Sequence, residues 1–116
     1  MFKCPLSREQ NNLNYAFENA VFVVESFNYD VRRKSINVRV SGFADQVALE
    51  SYLSKINAGQ FHDLEKSMIF NRHFDLNVVD VVSHDTPADD CFVQTLNAIE
   101  LALIEKEEMF KNGQPI

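Results

Sequence analysis

The sequence predicts an α+β fold, and three observations carry that reading. Apolar residues recur at helical spacing near the N-terminus, strict alternation replaces that spacing in the middle, and a C-terminal segment has helix-start and helix-stop residues at its two ends. The expected order is α-β-β-α-β-β-α, a four-stranded, mostly antiparallel sheet with helices packed against it. A chain of 116 residues suits one domain, 1–116, with residues 1–6 as a loose N-terminal arm.

Ser7 offers an N-cap, and Gln10 completes a Ser-x-x-Gln capping box. Leu13, Ala16, Phe17, Ala20, Val21, Val24 and Phe27 follow at helical spacing without an intervening Gly or Pro. A first helix from residue 7 is therefore expected, ending before Ala20 or near Phe27, and the β-branched run 21–24 is the competing strand signal. Ile36, Val38 and Val40 alternate with Asn37, Arg39 and Ser41, which is a half-buried strand ending at Ser41-Gly42. Phe27, Tyr29 and Val31 alternate more weakly, with Arg32, Arg33 and Lys34 as a charged hairpin turn between the two strands.

A helix over 44–57 is expected next, with Leu49, Tyr52, Leu53 and Ile56 as its stripe and Gly59 just past its end. Residues 67–72 and 75–83 read as two strands joined near His73, the second apolar enough to be central. Thr86 as N-cap, Pro87 at the first helical position and Asp89 and Asp90 in the first turn open the last helix. Its expected face is Phe92, Leu96, Ile99, Leu103 and Phe110, and Lys111 and Gly113 close it.

Composition narrows the function classes. Apolar residues make up 46% of the chain, enough for a core without metal or disulfide staples. A net charge of −6 repels phosphate backbones and anionic lipid, so nucleic acid and membrane are disfavoured and a basic protein partner is suited. The longest apolar run, 20–24, is too short to span a bilayer, and the first residues lack the apolar core of a signal peptide. Cys4 and Cys91 do not form a disulfide framework, which points to reduced thiols and a cytoplasmic location.

Chemical motifs are weak. His62, His73 and His84 are eleven residues apart in both intervals, without the tight pairing of metal ligands even though Asp63, Asp85, Asp89, Asp90 and Cys91 lie near them in sequence. Cys91 sits near a helix start, but Asp89 and Asp90 oppose thiolate formation. No cofactor, no metal and no catalytic residues are expected.

What stands out is apolar surface that the helical stripes do not absorb. Tyr15 and Phe22 point away from the Leu13–Phe17–Val24 face of the first helix, and Leu101 lies about 180° from Ile99 and Phe92 on the last. These three are the expected anchors of a protein-binding surface, with Asp89, Asp90, Glu105 and Glu108 as steering charge. Arg32, Arg33, Lys34 and Arg39 form a basic cluster suited to an anion or an acidic protein surface. The expected function is a non-catalytic binding module, a small acidic stoichiometric inhibitor or adaptor. The alternative is a self-assembling structural subunit, for example of a virus particle, and a metal-dependent or cysteine enzyme stands third. A homo-oligomer is compatible with the first two.

Overall fold

The sheet is built outward from one long hairpin. In the computed structural model, which describes residues 1–10, 13–60, 68–84 and 90–116, β4 (Val21–Asp30) and β5 (Ser35–Phe43) pair antiparallel from Val21↔Phe43 to Asp30↔Ser35. On one side of the hairpin lies β6 (Phe70–Asn77). On the other are two short end strands, β1 (Phe2–Lys3) and β7 (Gln114–Pro115), giving the order β6-β5-β4-β1-β7. β2 (Leu6–Gln10) and β3 (Leu13–Phe17) form a separate two-stranded ribbon. α1 (Gln46–Asn57), α2 (Val78–Val82) and α3 (Cys91–Lys106) complete the fold, with a 3₁₀ turn at Glu108–Phe110. The class is α+β and the main pairings are antiparallel, but the described sheet has five strands rather than the expected four.

The first expected helix is instead the β2–β3 ribbon followed by β4. A register shift between Val24 and Ser26 explains the misleading spacing. Before this bulge Phe22 and Val24 face one layer while Val21 and Val23 face the other; after it Phe27, opposite Val38, rejoins the first layer. Two wet faces are absent here, so alternation is lost. Residues 1–6 are not a loose arm either, because Phe2 and Cys4 are buried in the core. Main-chain pairing of β1 with both β4 and β7 holds that segment.

The larger core layer joins Phe2, Phe22, Val24, Ile36, Val38, Val40, Phe74 and Leu76 of the sheet to Val81 of α2 and to Ala98, Ile99, Ala102 and Leu103 of α3. At its centre, the Phe22 ring lies 5.4 Å from that of Phe2, 4.9 Å from Phe110 and 5.5 Å from Phe70. Gly42, expected to end its strand, sits inside β5 because no other residue fits: a Cβ there would lie 2.8 Å from Phe22 Cε1 and 2.9 Å from Phe70 Cβ. The smaller layer packs α1 through Leu49 and Tyr52 on Val21 and Phe43. Asp45 caps α1 by accepting from the Ala48 amide, and Gly59 follows the helix in the left-handed conformation (φ 72°).

Residues 67–83 do not form two strands. β6 runs through His73 and is the edge strand, and 78–82 is helical. β5 begins at Ser35 because residues 31–34 are the turn, so beyond the Val78 amide bonded to the Lys34 carbonyl (3.0 Å) no β5 residue remains to pair. The chain turns off the sheet, and α2 buries Val81 against the α3 layer. α3 is shorter than expected. Asp90 caps it, accepting from the Phe92 and Val93 amides, and Phe110 reaches the core from the 3₁₀ turn rather than from the helix. Phe92 is 71% exposed, so the buried face of α3 is Ala98, Ile99, Ala102 and Leu103. Thr86, Pro87 and Asp89 lie outside the described residues.

Two substitutions test this core. Phe22→Ala is expected to destabilise the protein by about 3–5 kcal/mol, the range for deleting a buried aromatic ring. Gly42→Ala should cost about 1–3 kcal/mol by overpacking. Urea unfolding followed by circular dichroism measures both, and an unchanged midpoint for Gly42→Ala would contradict the close approach of the Phe22 ring and the Phe70 Cβ.

Candidate functional site

The sheet is covered unevenly. α3 and α2 close one face, whereas α1 covers only the end of the other face that carries Val21, Val23 and Phe43. The boundary of that cover is a polar triad. Tyr52 of α1 donates its hydroxyl to Glu25 Oε1 (3.0 Å), and Arg39 Nη2 donates to Glu25 Oε2 (3.2 Å). Glu25 sits at the β4 bulge, where the extra residue turns its carboxylate toward both partners. Burial first, and then the Glu25 carboxylate that accepts its proton, push the Tyr52 phenol above its ordinary pKa.

Beyond the triad the face is open and polar. Cross-strand pairing places Arg39 opposite both Ser26 and His73, and Asn37 opposite both Asn28 and Asp75. Asn37 binds its neighbours: its Nδ2 donates to Asp75 Oδ1 (3.0 Å), and its Oδ1 lies 3.2 Å from His73 Nδ1. Asn71, whose Nδ2 donates to the Ser41 hydroxyl (3.0 Å), extends the polar surface toward the covered end. His73, Asp75, Asn71 and Asn77 are all exposed.

The outer edge of β6 borders this surface, and no described strand pairs with it. The Val78–Lys34 bond fixes which groups it presents. Bonded pairs alternate in an antiparallel ladder, so Phe70, Arg72, Phe74 and Leu76 turn their main-chain groups toward β5. Asn71, His73, Asp75 and Asn77 turn theirs outward. On the covered face, the Arg72 guanidinium lies over the Phe74 ring at 5.1 Å and shields it.

The residues expected to form a binding surface are not brought together. Phe22 is 0% exposed at the centre of the aromatic cluster, so it cannot anchor a partner. The Tyr15 side chain and Asp89 lie outside the described residues. Leu101 is half-buried. Asp90 is occupied as the α3 cap, Glu105 pairs with His84 and with Lys106 (3.5 Å), and Glu108 pairs with Lys111 (2.6 Å) from the 3₁₀ turn. The hydrogen bond from His84 is the main reason the Glu105 carboxyl lies below its ordinary pKa.

Arg32, Arg33 and Lys34 occupy the hairpin turn as expected, with Asp30 Oδ1 accepting the Arg32 and Arg33 amides (3.0 and 3.1 Å) and Lys34 at φ 50°. Arg39 is separate from them, four positions along β5 from its start at Ser35, which is roughly 13 Å. Beside the turn is only a shallow, open depression lined by Asn28, Tyr29, Asp30, Val31, Arg32 and Asn37.

Other chemistry finds no assembled site among the described residues. No group of three or more His, Cys, Asp or Glu stands where it could hold a metal, and His62 lies outside them. Cys4 is buried, which pushes its thiol pKa up, and Cys91 is exposed at the start of α3. Cys91 is fourteen helical positions, roughly 21 Å, from the Glu105 that holds His84, so the two do not form a nucleophile–base pair. No helix among the described residues is long and apolar enough to cross a membrane. Neither a family model, nor a curated protein, nor a solved structure matches the chain.

The open face was visible in the sequence as the period-2 pattern of Asn71, His73, Asp75 and Asn77 against Phe70, Phe74 and Leu76. Dividing 67–83 into two strands at His73 hid it.

The raised Tyr52 pKa has a signed consequence. Folding favours the protonated phenol, so its contribution is fully present below the ordinary tyrosine range and is lost as pH rises through the folded-state pKa. Wild-type stability in urea should therefore fall more steeply in alkali than that of Tyr52→Phe. Parallel curves for the two proteins would show that the phenol proton is not held by Glu25.

Proposed function

We propose that this chain is a non-catalytic protein-binding module, a small acidic inhibitor or adaptor, that docks its partner along β6 and the adjoining open face of the sheet. The observation that carries this is the outer edge of β6. Four consecutive outward-facing positions, Asn71, His73, Asp75 and Asn77, offer main-chain donors and acceptors beside exposed polar side chains. An extended segment of a partner adds to such an edge as a further strand, with the ladder giving affinity and the face side chains giving specificity. The net charge of −6 favours a basic partner, and two unpaired thiols suit a cytoplasmic setting. The contact surface differs from the helix faces that the sequence suggested. Self-assembly is the second reading, and the donor and acceptor pattern of β6 favours it.

His73→Pro tests the docking mode. The His73 amide points away from β5, so proline there removes an outward donor while leaving the β5–β6 ladder bonded. In affinity capture from the native host, a partner held by the wild-type chain should be weakened at least tenfold by His73→Pro, with the circular dichroism spectrum unchanged. Equal capture by both proteins would overturn the assignment of the edge.

A further inference from the structure

We infer that the strand added to β6 is β6 of a second copy of this chain, antiparallel and in one register, with Phe74 facing its own counterpart on the two-fold axis. The inference rests on the preceding reading of β6 as a strand-adding edge and develops its self-assembly form, in which the occupant is a further copy of the chain rather than a basic partner.

Symmetry limits the choices. A two-fold axis perpendicular to the sheet keeps each face of the sheet on its own side, so the axis must pass through a residue position of β6. Outward main-chain groups belong to Asn71, His73, Asp75 and Asn77, and only these can form the new bonded pairs. An axis at His73 would set the imidazole against its own copy and Asp75 against Asn71. An axis at Asp75 would oppose two carboxylates directly, which is repulsive. An axis at Phe74 instead pairs His73 with Asp75 of the other copy, twice, and Asn71 with Asn77, twice. Every outward position of β6 then has a bonded counterpart.

The side chains agree with this register on both faces. On the open face, the row Arg39–His73 of one protomer, directly opposed across β5 and β6, continues into Asp75 and Asn37 of the other, so a basic end meets an acidic one. Asn37 already contacts both His73 and Asp75 within a protomer (3.2 and 3.0 Å) and holds the two at their strand positions. On the covered face, Phe74 meets its counterpart as an unbonded cross-strand pair, the closer type, beneath the Arg72 side chain. α2 does not continue along the strand direction at the end of β6: Val81 is buried with the α3 layer. Pairing would merge two described five-stranded sheets into one continuous sheet.

The test uses the purified full chain in sedimentation equilibrium over a concentration series. Wild type is expected to show a monomer–dimer equilibrium. His73→Asp alone opposes carboxylates across the axis, and Asp75→Lys alone sets a lysine against the imidazole in place of its acidic counterpart, so each should weaken self-association at least tenfold. An equimolar mixture of H73D and D75K sets the new carboxylate of one protein against the new ammonium of the other at one pair, keeps the native Asp75–His73 contact at the second, and should form the heterodimer, a rescue that misfolding of either variant could not produce. Wild type that stays monomeric throughout, or a mixture no more associated than its components, overturns the inference. The two readings fail separately. If wild type is monomeric while His73→Pro still abolishes capture of a host protein, the edge is a docking surface for a different chain. If His73→Pro changes neither capture nor self-association, both readings fall.

Discussion

The fold depends on the enclosure of the Phe22 ring. Its contacts come from Phe2 at the beginning of the chain, Phe70 at the start of β6 and Phe110 after the last helix. Phe2 and Phe110 are themselves 5.0 Å apart, edge to face, so segments more than a hundred residues apart in sequence share one packing unit. Closing such long loops costs entropy that no local hydrogen bond repays, and a cluster of aromatic rings, large in area and free of polar atoms, can. The end strands β1 and β7 are only two residues each and could not stand on their ladder alone. They persist because Phe2 is anchored under them. The same enclosure dictates Gly42, whose missing side chain leaves the space taken by the Phe22 ring and the Phe70 Cβ.

That enclosure also explains which parts of the fold were legible in the sequence. β5 was, because one side of it is open over Asn37 and Arg39 while Ile36, Val38 and Val40 are buried, so its residues alternate. α1 was, because it is a surface helix with an apolar stripe and a Gly just past its end. β4 was not. Covered on one face by α1 and on the other by the α3 layer, it is apolar at four successive positions, and its bulge then inserts one residue before Phe27. Spacings of three and four produced by a turn and a bulge are indistinguishable, by counting alone, from those of a helix. The short helix at 78–82 reverses the error: a β-branched run leaves the sheet because its neighbouring strand has ended, and tertiary context overrides propensity.

The candidate surface was legible residue by residue but not as a place. Arg39 stands out in the sequence as part of a basic cluster and His73 as a metal-ligand candidate that the histidine spacing disfavours, yet neither reading uses the neighbour that pairing gives it. Asn37 and Asp75 are ordinary strand-face residues until the β5–β6 register sets them side by side. Conversely, Phe22 is surplus apolar surface only on a helical wheel, and in its strand it is core. Charge followed a similar course: Asp90, Glu105 and Glu108 are engaged in a cap and in ion pairs within the chain, which leaves them less suited to steer a partner.

An edge strand that is not meant to pair usually advertises the fact. Lysines of one sign, a proline or a bulge in mid-strand makes self-association unfavourable in every register. β6 has no proline and no bulge in its middle, and its charges there are of opposite sign, Arg72 and Asp75; the irregularity at its start, where the Ile69 amide bonds the Gly42 carbonyl, lies before the outward-facing positions begin. What it carries instead is one imidazole and one carboxylate flanking Phe74, so that registers centred on His73 or Asp75 oppose like groups while the register centred on Phe74 does not. Polar side chains on this edge therefore select an alignment rather than forbid pairing. That selectivity is the property expected of an interface. It depends on the same unequal coverage of the sheet that Phe22 and α1 impose, since burying the end of the face near Phe43 leaves Asn37, His73 and Asp75 as the polar surface that remains.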